Sequence, residues 1–326
     1  EPPADDTERE IVRLFAEALG VAPETVGAED DFFDLGGHSL AAMAVAARSG
    51  GLVTVRDLLQ ARTARALARG AAAPGGGALV ELASADDPAP TVVCFPYAGG
   101  SPVSYLPLAK ALQETGPVRV LVLDLQDEQA PAPETLLRLL TAELDGGTGP
   151  LTLLGHCAGA GPALALARAL PAGRRPHVVL AGKTLKSADP EDHPVAEVAA
   201  ASDETAATWV VPGERGVPDG GVTRAELRAL RRDTALGNAF LRRLLAEPAG
   251  ADHPLTVVLA ADDPVTRGHE DHVCRWGLLG REPEVVRVGH GGHYLNQTRP
   301  HLLASVLRRS AADGAPESSH AVRQRP

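Results

Sequence analysis

The chain changes its pattern once, across Gly70-Ala71-Ala72-Ala73-Pro74-Gly75-Gly76-Gly77. This run offers no side chain large enough to build a core, so it reads as a flexible linker and the clearest domain boundary. Before it, apolar residues recur at helical spacing. After it, short β-rich runs alternate with helical ones, which predicts a mostly parallel, doubly wound sheet. The sequence therefore divides into a small helical domain over 1–70, a linker over 71–78 and an α/β domain over 79–310. The polar remainder, 311–326, is predicted to be a disordered tail.

In the first domain, Ile11, Leu14, Phe15 and Ala18 share one face of a helix predicted over Thr7–Leu19. Thr7 is the expected N-cap, with Glu10 three residues on, and Gly20 is the stop. Ser39 opens a second helix to about Arg48, and Val55–Gln60 and Thr63–Arg69 make two more. These form a four-helix bundle. In the second domain strands are predicted at Thr91–Phe95, Val118–Leu125, Leu151–Leu154, His177–Ala181, Leu255–Ala260 and Val285–Val288. The intervening and closing helices are Pro107–Gln113, Glu134–Leu144, Ala163–Leu170 and Leu302–Arg309. Roughly seventy residues between two of these strands carry no strand signal, an insertion long enough to be functional. Asp203–Trp209 and Thr223–Leu245 within it have helical patterns. We read the insertion, about 184–250, as a helical lid.

Charge and composition exclude several classes of function. The net charge is −11, and lysine occurs only at Lys110, Lys183 and Lys186. No basic stripe exists for a nucleic acid. No apolar run reaches the ~18–20 residues of a membrane span, and no signal-peptide pattern opens the chain. Cys94, Cys157 and Cys274 are three and irregularly spaced. They make neither a disulfide framework nor a metal site, which fits a reducing, cytoplasmic setting. The opening Glu1-Pro2-Pro3-Ala4-Asp5 resembles linker, so the chain is expected to be a piece of a longer polypeptide.

Two motifs carry chemistry. The first is Asp31-Phe32-Phe33-Asp34-Leu35-Gly36-Gly37-His38-Ser39-Leu40. Its glycines permit a tight turn. Ser39 then begins a helix, whose free N–H groups and positive dipole end suit a phosphate. From spacing alone, Ser39 could equally be a plain N-cap. The segment resembles the core motif of peptidyl carrier proteins of non-ribosomal peptide synthetases, with His38 favouring the peptide type over fatty-acid and polyketide carriers. The resemblance covers roughly residues 5–70. It implies that Ser39 bears 4′-phosphopantetheine, added by a phosphopantetheinyl transferase, and that upstream synthetase domains belong to the same polypeptide. Ala47-Arg48-Ser49-Gly50-Gly51-Leu52 is shorter than the family's usual link between the second and third helices.

The second motif is Gly155-His156-Cys157-Ala158-Gly159, which follows a strand and precedes a helix. That is the context of a nucleophile elbow, with cysteine where serine usually sits. A buried packing cysteine is the plain alternative, and we assign that role to Cys94 and Cys274 instead. The base should come late in the chain, where His290-Gly291-Gly292-His293-Tyr294-Leu295 offers two histidines. His293 is favoured because Gly-Gly-His-aromatic-Leu resembles the histidine motif of thioesterases. His290 is a surface histidine or a partner of the site, and His156 orients the elbow or the substrate. Members of that family place the acid at one of two strand ends. The earlier end, Ala181-Gly182-Lys183-Thr184-Leu185-Lys186-Ser187, has no carboxylate. The later end, Ala260-Ala261-Asp262-Asp263-Pro264-Val265, has two. Asp263 is chosen, with Asp262 the alternative, although an acid before proline is also an ordinary turn signal. Phe95-Pro96-Tyr97-Ala98-Gly99-Gly100 resembles the thioesterase Pro-x-Ala-Gly-Gly loop. It implies an oxyanion hole made by the N–H groups of Ala158 and of Ala98, with Tyr97 the alternative to Ala98.

The expectation is thus a carrier bundle followed by an α/β-hydrolase thioesterase domain with a helical lid. A peptidyl thioester carried on Ser39 would pass to Cys157 and leave by cyclisation or hydrolysis. Two other readings stand beside it: an editing thioesterase, and a non-catalytic docking module.

Overall fold

The computed structural model describes residues 1–37, 39–70, 78–125, 131–171, 173–210, 222–248 and 252–313. The linker read over 71–78, except Ala78, lies outside them, as do residues 314–326 of the predicted tail.

Four helices form the first domain: α1 (Asp6–Leu19), α2 (Ser39–Arg48), α3 (Val55–Ala61) and α4 (Ala64–Ala68). The N-cap of α1 is Asp5 rather than Thr7, its carboxylate accepting the Glu8 N–H at 2.8 Å. Starting there makes Glu8 the third helical residue, whose carboxylate returns to the Ala4 N–H at 2.8 Å. The two bonds clasp the start of the helix, one meeting a free N–H of its first turn and the other holding the chain that enters it. Ile11, Leu14 and Phe15 are buried with Phe32, Val45 and Leu58. The Phe15 and Phe32 ring centroids lie 4.7 Å apart.

The second domain holds one seven-stranded sheet: β1 (Leu79–Ala83), β2 (Thr91–Phe95), β3 (Arg119–Leu123), β4 (Leu151–His156), β5 (His177–Ala181), β6 (Leu255–Ala260) and β7 (Glu284–Val288). Their order is β1-β3-β2-β4-β5-β6-β7. All neighbours are parallel except β1, which runs antiparallel to β3. Strand β1 has no counterpart in the sequence reading. It is five residues long with Glu81 in its middle, too short and too interrupted for either period to register. Its outer side is covered by the first domain, because α3 packs on it. Leu59 is buried in the same cluster as Val80 and Leu82, and Arg56 Nη2 reaches the Leu79 carbonyl at 3.4 Å. This contact shields a sheet edge that would otherwise be open to pairing.

The helices α5 (Leu106–Gln113), α6 (Pro133–Glu143), α7 (Ala160–Ala169) and α12 (Pro300–Asp313) cover the sheet, α6 and α7 on one face and α5 and α12 on the other. Helix α12 runs three residues into the stretch read as tail, since Ala311 and Ala312 are good helix formers and Gly314 is the first breaker. The insertion contributes α8 (Ala196–Ala199), α9 (Asp203–Ala207) and the long α10 (Arg224–Ala246), and the short α11 (Leu295–Thr298) precedes α12. Thr223 and Glu226 cap α10 reciprocally.

The chain order reverses between β2 and β4. Beside one another at this switch point, the carboxyl ends of the two strands leave a crevice, the place where open α/β sheets hold ligands. Phe95 is paired with Gly155, His156 with Ala181 and Ala260 with Val288. The loops that carry every candidate residue of this domain therefore leave the sheet at one level.

Replacing Phe32 by alanine should cost the first domain about 3–5 kcal/mol, as for other buried aromatic truncations. Native-state hydrogen exchange on the full chain should show amides of α1 to α4 losing protection by that amount, with β4 to β6 unchanged.

Candidate active site

Cys157 follows β4 with φ of +50°, one of two non-glycine residues with positive φ among the described residues. A side chain rarely accepts this conformation, and a sharp strand-to-helix turn is where it does. The flanking glycines make room for the turn. A Cβ on Gly159 would lie 2.0 Å from the Phe95 carbonyl oxygen, and one on Gly155 would lie 2.8 Å from the Ala160 Cα. Cys157 is left partly accessible, whereas Cys94 is fully buried. Cys274, read as a packing residue, is exposed instead. It sits on a 3-10 helix over Glu270–Leu278 whose buried side is made by Val273 and Trp276, and Cys274 falls on the other side.

The thiol lies beside the His293 ring, close enough for the charge of each to act on the other. His293 is 3% exposed, and its Nδ1 lies 3.1 Å from each carboxylate oxygen of Asp263. Asp263 is fully buried and also accepts the Val265 N–H at 2.8 Å and the Thr266 hydroxyl at 3.0 Å. The turn made by acid and proline thus aims the carboxylate at the ring. Asp262 faces the other way and accepts the Gly291 and Gly292 N–H groups at 3.0 and 2.8 Å. It shapes the histidine loop without reaching the ring. His290 is exposed, 3.7 Å from Asp262.

Burial alone would raise the Cys157 thiol, but the His293 charge, its hydrogen bond and the more distant Lys183 outweigh it and hold the thiol below its ordinary value. Burial disfavours the His293 charge in the same way, yet the Cys157 thiolate and Asp263 push the ring well above the usual histidine range. Each charge favours the other, so the pairing shifts the site toward a thiolate–imidazolium form.

His156 is fully buried, and burial depresses its pKa to about 3, so it stays neutral. Its Nε2 is 2.7 Å from the His293 carbonyl, which can only accept, so the Nε2–H donates. Nδ1 faces the Tyr105 hydroxyl at 3.4 Å. His156 therefore ties the end of β4 to the histidine loop. The sequence reading missed Gly182. It has φ of +62°, and a Cβ there would come 3.0 Å from the His293 ring and 3.3 Å from His156 Nε2. Its only sequence signal is a glycine at a strand end. Ala98 is buried in a small apolar cluster that Ala158 also joins, so the two segments read as oxyanion donors are neighbours. The Tyr97 ring packs on His156 and Tyr294, and its hydroxyl accepts from Gln297 at 2.8 Å.

Ser39 begins α2 at the end of a surface loop in which Asp34, Leu35 and Gly36 are exposed. Gly37 lies against Phe32, where a Cβ would meet the ring at 2.4 Å. The loop is therefore folded onto the bundle core with the start of α2 at its end. Among the described residues no group of three or more His, Cys, Asp or Glu could hold a metal, and no helix is long and apolar enough to cross a membrane.

Residues 9–70 match the family of phosphopantetheine attachment sites, and residues 90–208 match the thioesterase domain family. The chain is a carrier domain followed by a thioesterase domain. Chondramide synthase cmdD of Chondromyces crocatus is 36% identical over 178 residues, 51% of this chain and 4% of that protein. The chain spans only about 2–4% of the length of curated relatives it matches. A four-domain nonribosomal peptide synthetase resembles 97% of the chain, which covers 27% of it, at 22% identity and TM-score 0.52. The type II thioesterase BorB from the borrelidin biosynthetic cluster resembles 72% of the chain, with 97% of its own length covered, at 21% identity and TM-score 0.53. These two likenesses establish the fold: a carrier bundle ahead of an α/β-hydrolase domain of thioesterase type.

Because the thiol of the thioesterase domain is held below its ordinary value, its alkylation by iodoacetamide should rise with pH around a midpoint below the ~8.5 of free cysteine. The sign follows from the thiolate being the reactive form. In His293→Ala the opposing influences that remain are burial and the Asp263 charge, which raise the thiol, and Lys183, which lowers it, so the midpoint should move up. Rates measured from pH 5 to 10, with the Cys157 peptide followed by mass spectrometry, check both.

Proposed function

We propose that the chain is a terminal release module of a peptide synthetase. Its carrier domain would hold a peptidyl group on Ser39, and its thioesterase domain would release that group through Cys157. Phosphopantetheine on Ser39 would supply the acyl group as a thioester. The Cys157 thiolate attacks the carbonyl carbon of this thioester. A new carbon–sulfur bond forms, the N–H groups of Ala98 and Ala158 receive the oxyanion, and the old carbon–sulfur bond breaks. His293 gives its proton to the departing thiolate. In the second step an attacking group loses its proton to His293, and Cys157 leaves as the thiolate, which restores the starting pair. Asp263 holds the ring in the required tautomer and stabilises the imidazolium. The observation that carries this reading is Cys157 in the strained elbow, under the charge of a histidine whose Nδ1 faces a buried carboxylate.

The attacking group is proposed to belong to the peptide itself, giving a ring that can be as strained as a β-lactam or β-lactone. A serine enzyme converts the incoming thioester to an ester and loses activation at that step. A cysteine enzyme exchanges thioester for thioester, so nearly all the activation survives to the second step. Thiolate is also the better leaving group, with a pKa of ~8.5 in free cysteine. Both properties favour a product high in energy, and α10 over the elbow supports the exclusion of water as a competitor.

A phosphopantetheinyl transferase with coenzyme A should add one arm to the chain, and Ser39→Ala should abolish the addition. After loading with the upstream peptide, Cys157→Ala should retain the acyl group. Product at peptide mass minus water means cyclisation, whereas product at the mass of the linear acid means hydrolysis and overturns the ring-forming step. Asp263→Asn should slow release by about 10²-fold or more, and Asp262→Asn far less. The reverse order would move the acid to Asp262.

A further inference from the structure

Lid helix α10 is bound directly to the loop read as the oxyanion loop. Asp233, on the inner face of α10, accepts the Gly99 N–H through Oδ2 at 2.8 Å. Its other oxygen takes the Arg232 Nε–H at 2.7 Å, and Arg232 Nη1 donates to the Leu125 carbonyl at 2.8 Å. The carboxylate is 11% exposed. Four residues further on, Gly237 lies so close to the elbow that a Cβ would fall 2.5 Å from the Ala158 carbonyl oxygen. One helix thus grips both segments that are proposed to donate to the oxyanion.

The grip on Gly99 has a specific consequence. The Gly100 N–H bonds the Tyr97 carbonyl at 2.8 Å, which closes a four-residue turn over Tyr97-Ala98-Gly99-Gly100. Gly99, the third residue, has φ of +70°. Positive φ at the third position marks a type II turn, which differs from type I by a flip of the central peptide. That peptide is the Ala98 carbonyl and the Gly99 N–H. Glycine allows either arrangement, so the turn itself does not choose. An acceptor fixed on the Gly99 N–H does choose. With the peptide flipped, the Ala98 carbonyl would point at the carboxylate, and oxygen would face oxygen.

We propose that Asp233 is a positioning residue for the oxyanion hole, its carboxylate on α10 fixing the form of this turn and its spacing from the elbow, so that the segment carrying the Ala98 N–H and the segment carrying the Ala158 N–H stay in register. This rests on the proposed role of Cys157 and adds to it a task for the lid: α10 is a strut of the active site as well as its cover. The charge is not what the loop needs. Asp233 lines the cleft beside Ala158 and Gly159, where an unpaired negative charge would oppose a developing oxyanion. Arg232 neutralises it, so the acceptor oxygen is the part that acts.

The test separates a reaction that forms an oxyanion from one that does not, both at Cys157. With p-nitrophenyl acetate the thiolate attacks the carbonyl, the carbon–sulfur bond forms and p-nitrophenolate leaves. With iodoacetamide the thiolate displaces iodide at a saturated carbon, and no oxyanion arises. In the full chain, Asp233→Ala should slow the p-nitrophenolate burst by about 10- to 100-fold while iodoacetamide reacts with Cys157 at the wild-type rate and with the wild-type pH midpoint. Asp233→Asn keeps an acceptor oxygen for Gly99 and should recover the burst to within about threefold of wild type. A burst in Asp233→Ala within twofold of wild type overturns the proposal. So does a parallel fall in alkylation, which would mean that the elbow as a whole has moved, and so does an Asn variant as slow as Ala. If wild type is alkylated at Cys157 but gives no burst and no acetylated Cys157 by mass spectrometry, the acyl-enzyme reading itself fails, a result distinct from the other three.

Discussion

Gly159 sits against the Phe95 carbonyl so closely that any side chain would occupy the same space, with a Cβ only 2.0 Å from the oxygen. That approach fixes the spacing between the loop after β2 and the turn after β4, and the remainder of the site is arranged around it. Phe95 and Gly155 are paired in the sheet, so the two segments start level. Gly159 then draws the elbow back over the end of β2, and Cys157 is forced to φ of +50°. Residues held in sparsely populated conformations persist only where their surroundings over-determine them. Here the surroundings are two strands below, α7 behind, and α10 above through Gly237. A methyl group at Gly159, Gly182 or Gly237 would push apart, in turn, the two loops, the two histidines or α10 and the elbow.

Within that frame the electrostatics distribute one proton. Two imidazoles, His156 and His293, have ring centroids 5.3 Å apart, and two charged rings at that distance would repel strongly in a buried site. The structure separates their roles by their partners. His293 has a carboxylate on one side and a thiolate on the other, and both favour its charged form. His156 has a carbonyl and a phenol, which ask only for a neutral ring. The neutral ring anchors the backbone of the charged one. A proton passed from the thiol goes to His293, since His156 is held neutral to about pH 3.

Much of this was legible in the sequence, for reasons that can be traced to particular residues. Strands β2, β5 and β6 follow the predicted bounds because buried parallel strands read as unbroken β-branched and leucine runs between breakers. The elbow and the Gly-Gly-His loop were visible because strained turns demand glycine at fixed spacing. Helix α10 was visible through Leu227, Leu230, Leu236, Phe240 and Leu244, all of which are buried. What could not be read is whatever depends on two distant segments meeting. Asp233 looks like one more charge in Arg231-Arg232-Asp233, and nothing local says that its partner is Gly99. Gly182 looks like an ordinary strand end. Strand β1 needs β3 and α3 to exist at all. Asp262 and Asp263 are adjacent and chemically alike. Only the turn made with Pro264, Val265 and Thr266 decides that one carboxylate faces inward to His293 and the other outward to Gly291 and Gly292.

The same frame bears on how a peptidyl group could reach a cysteine beneath a helix. Were α10 a loosely hinged cover, its movement would be independent of the chemistry below. It is bonded instead to Gly99 and Leu125 and pressed on Ala158. Lifting its middle would break a partly buried charge-assisted hydrogen bond and free the turn beside Ala98, so on the proposed reading a raised α10 would also leave the oxyanion hole unprepared. Binding energy from remote parts of a bound peptide could then be used to seat α10, and the hole would be complete only when the cover is. Such coupling suits a cysteine acyl-enzyme. Its thioester retains the activation of the incoming group, so it is most exposed to water while the cover is off. On the proposed mechanism, a hole assembled only under a seated α10 would stabilise the tetrahedral intermediates of both steps in the state that excludes the competing nucleophile.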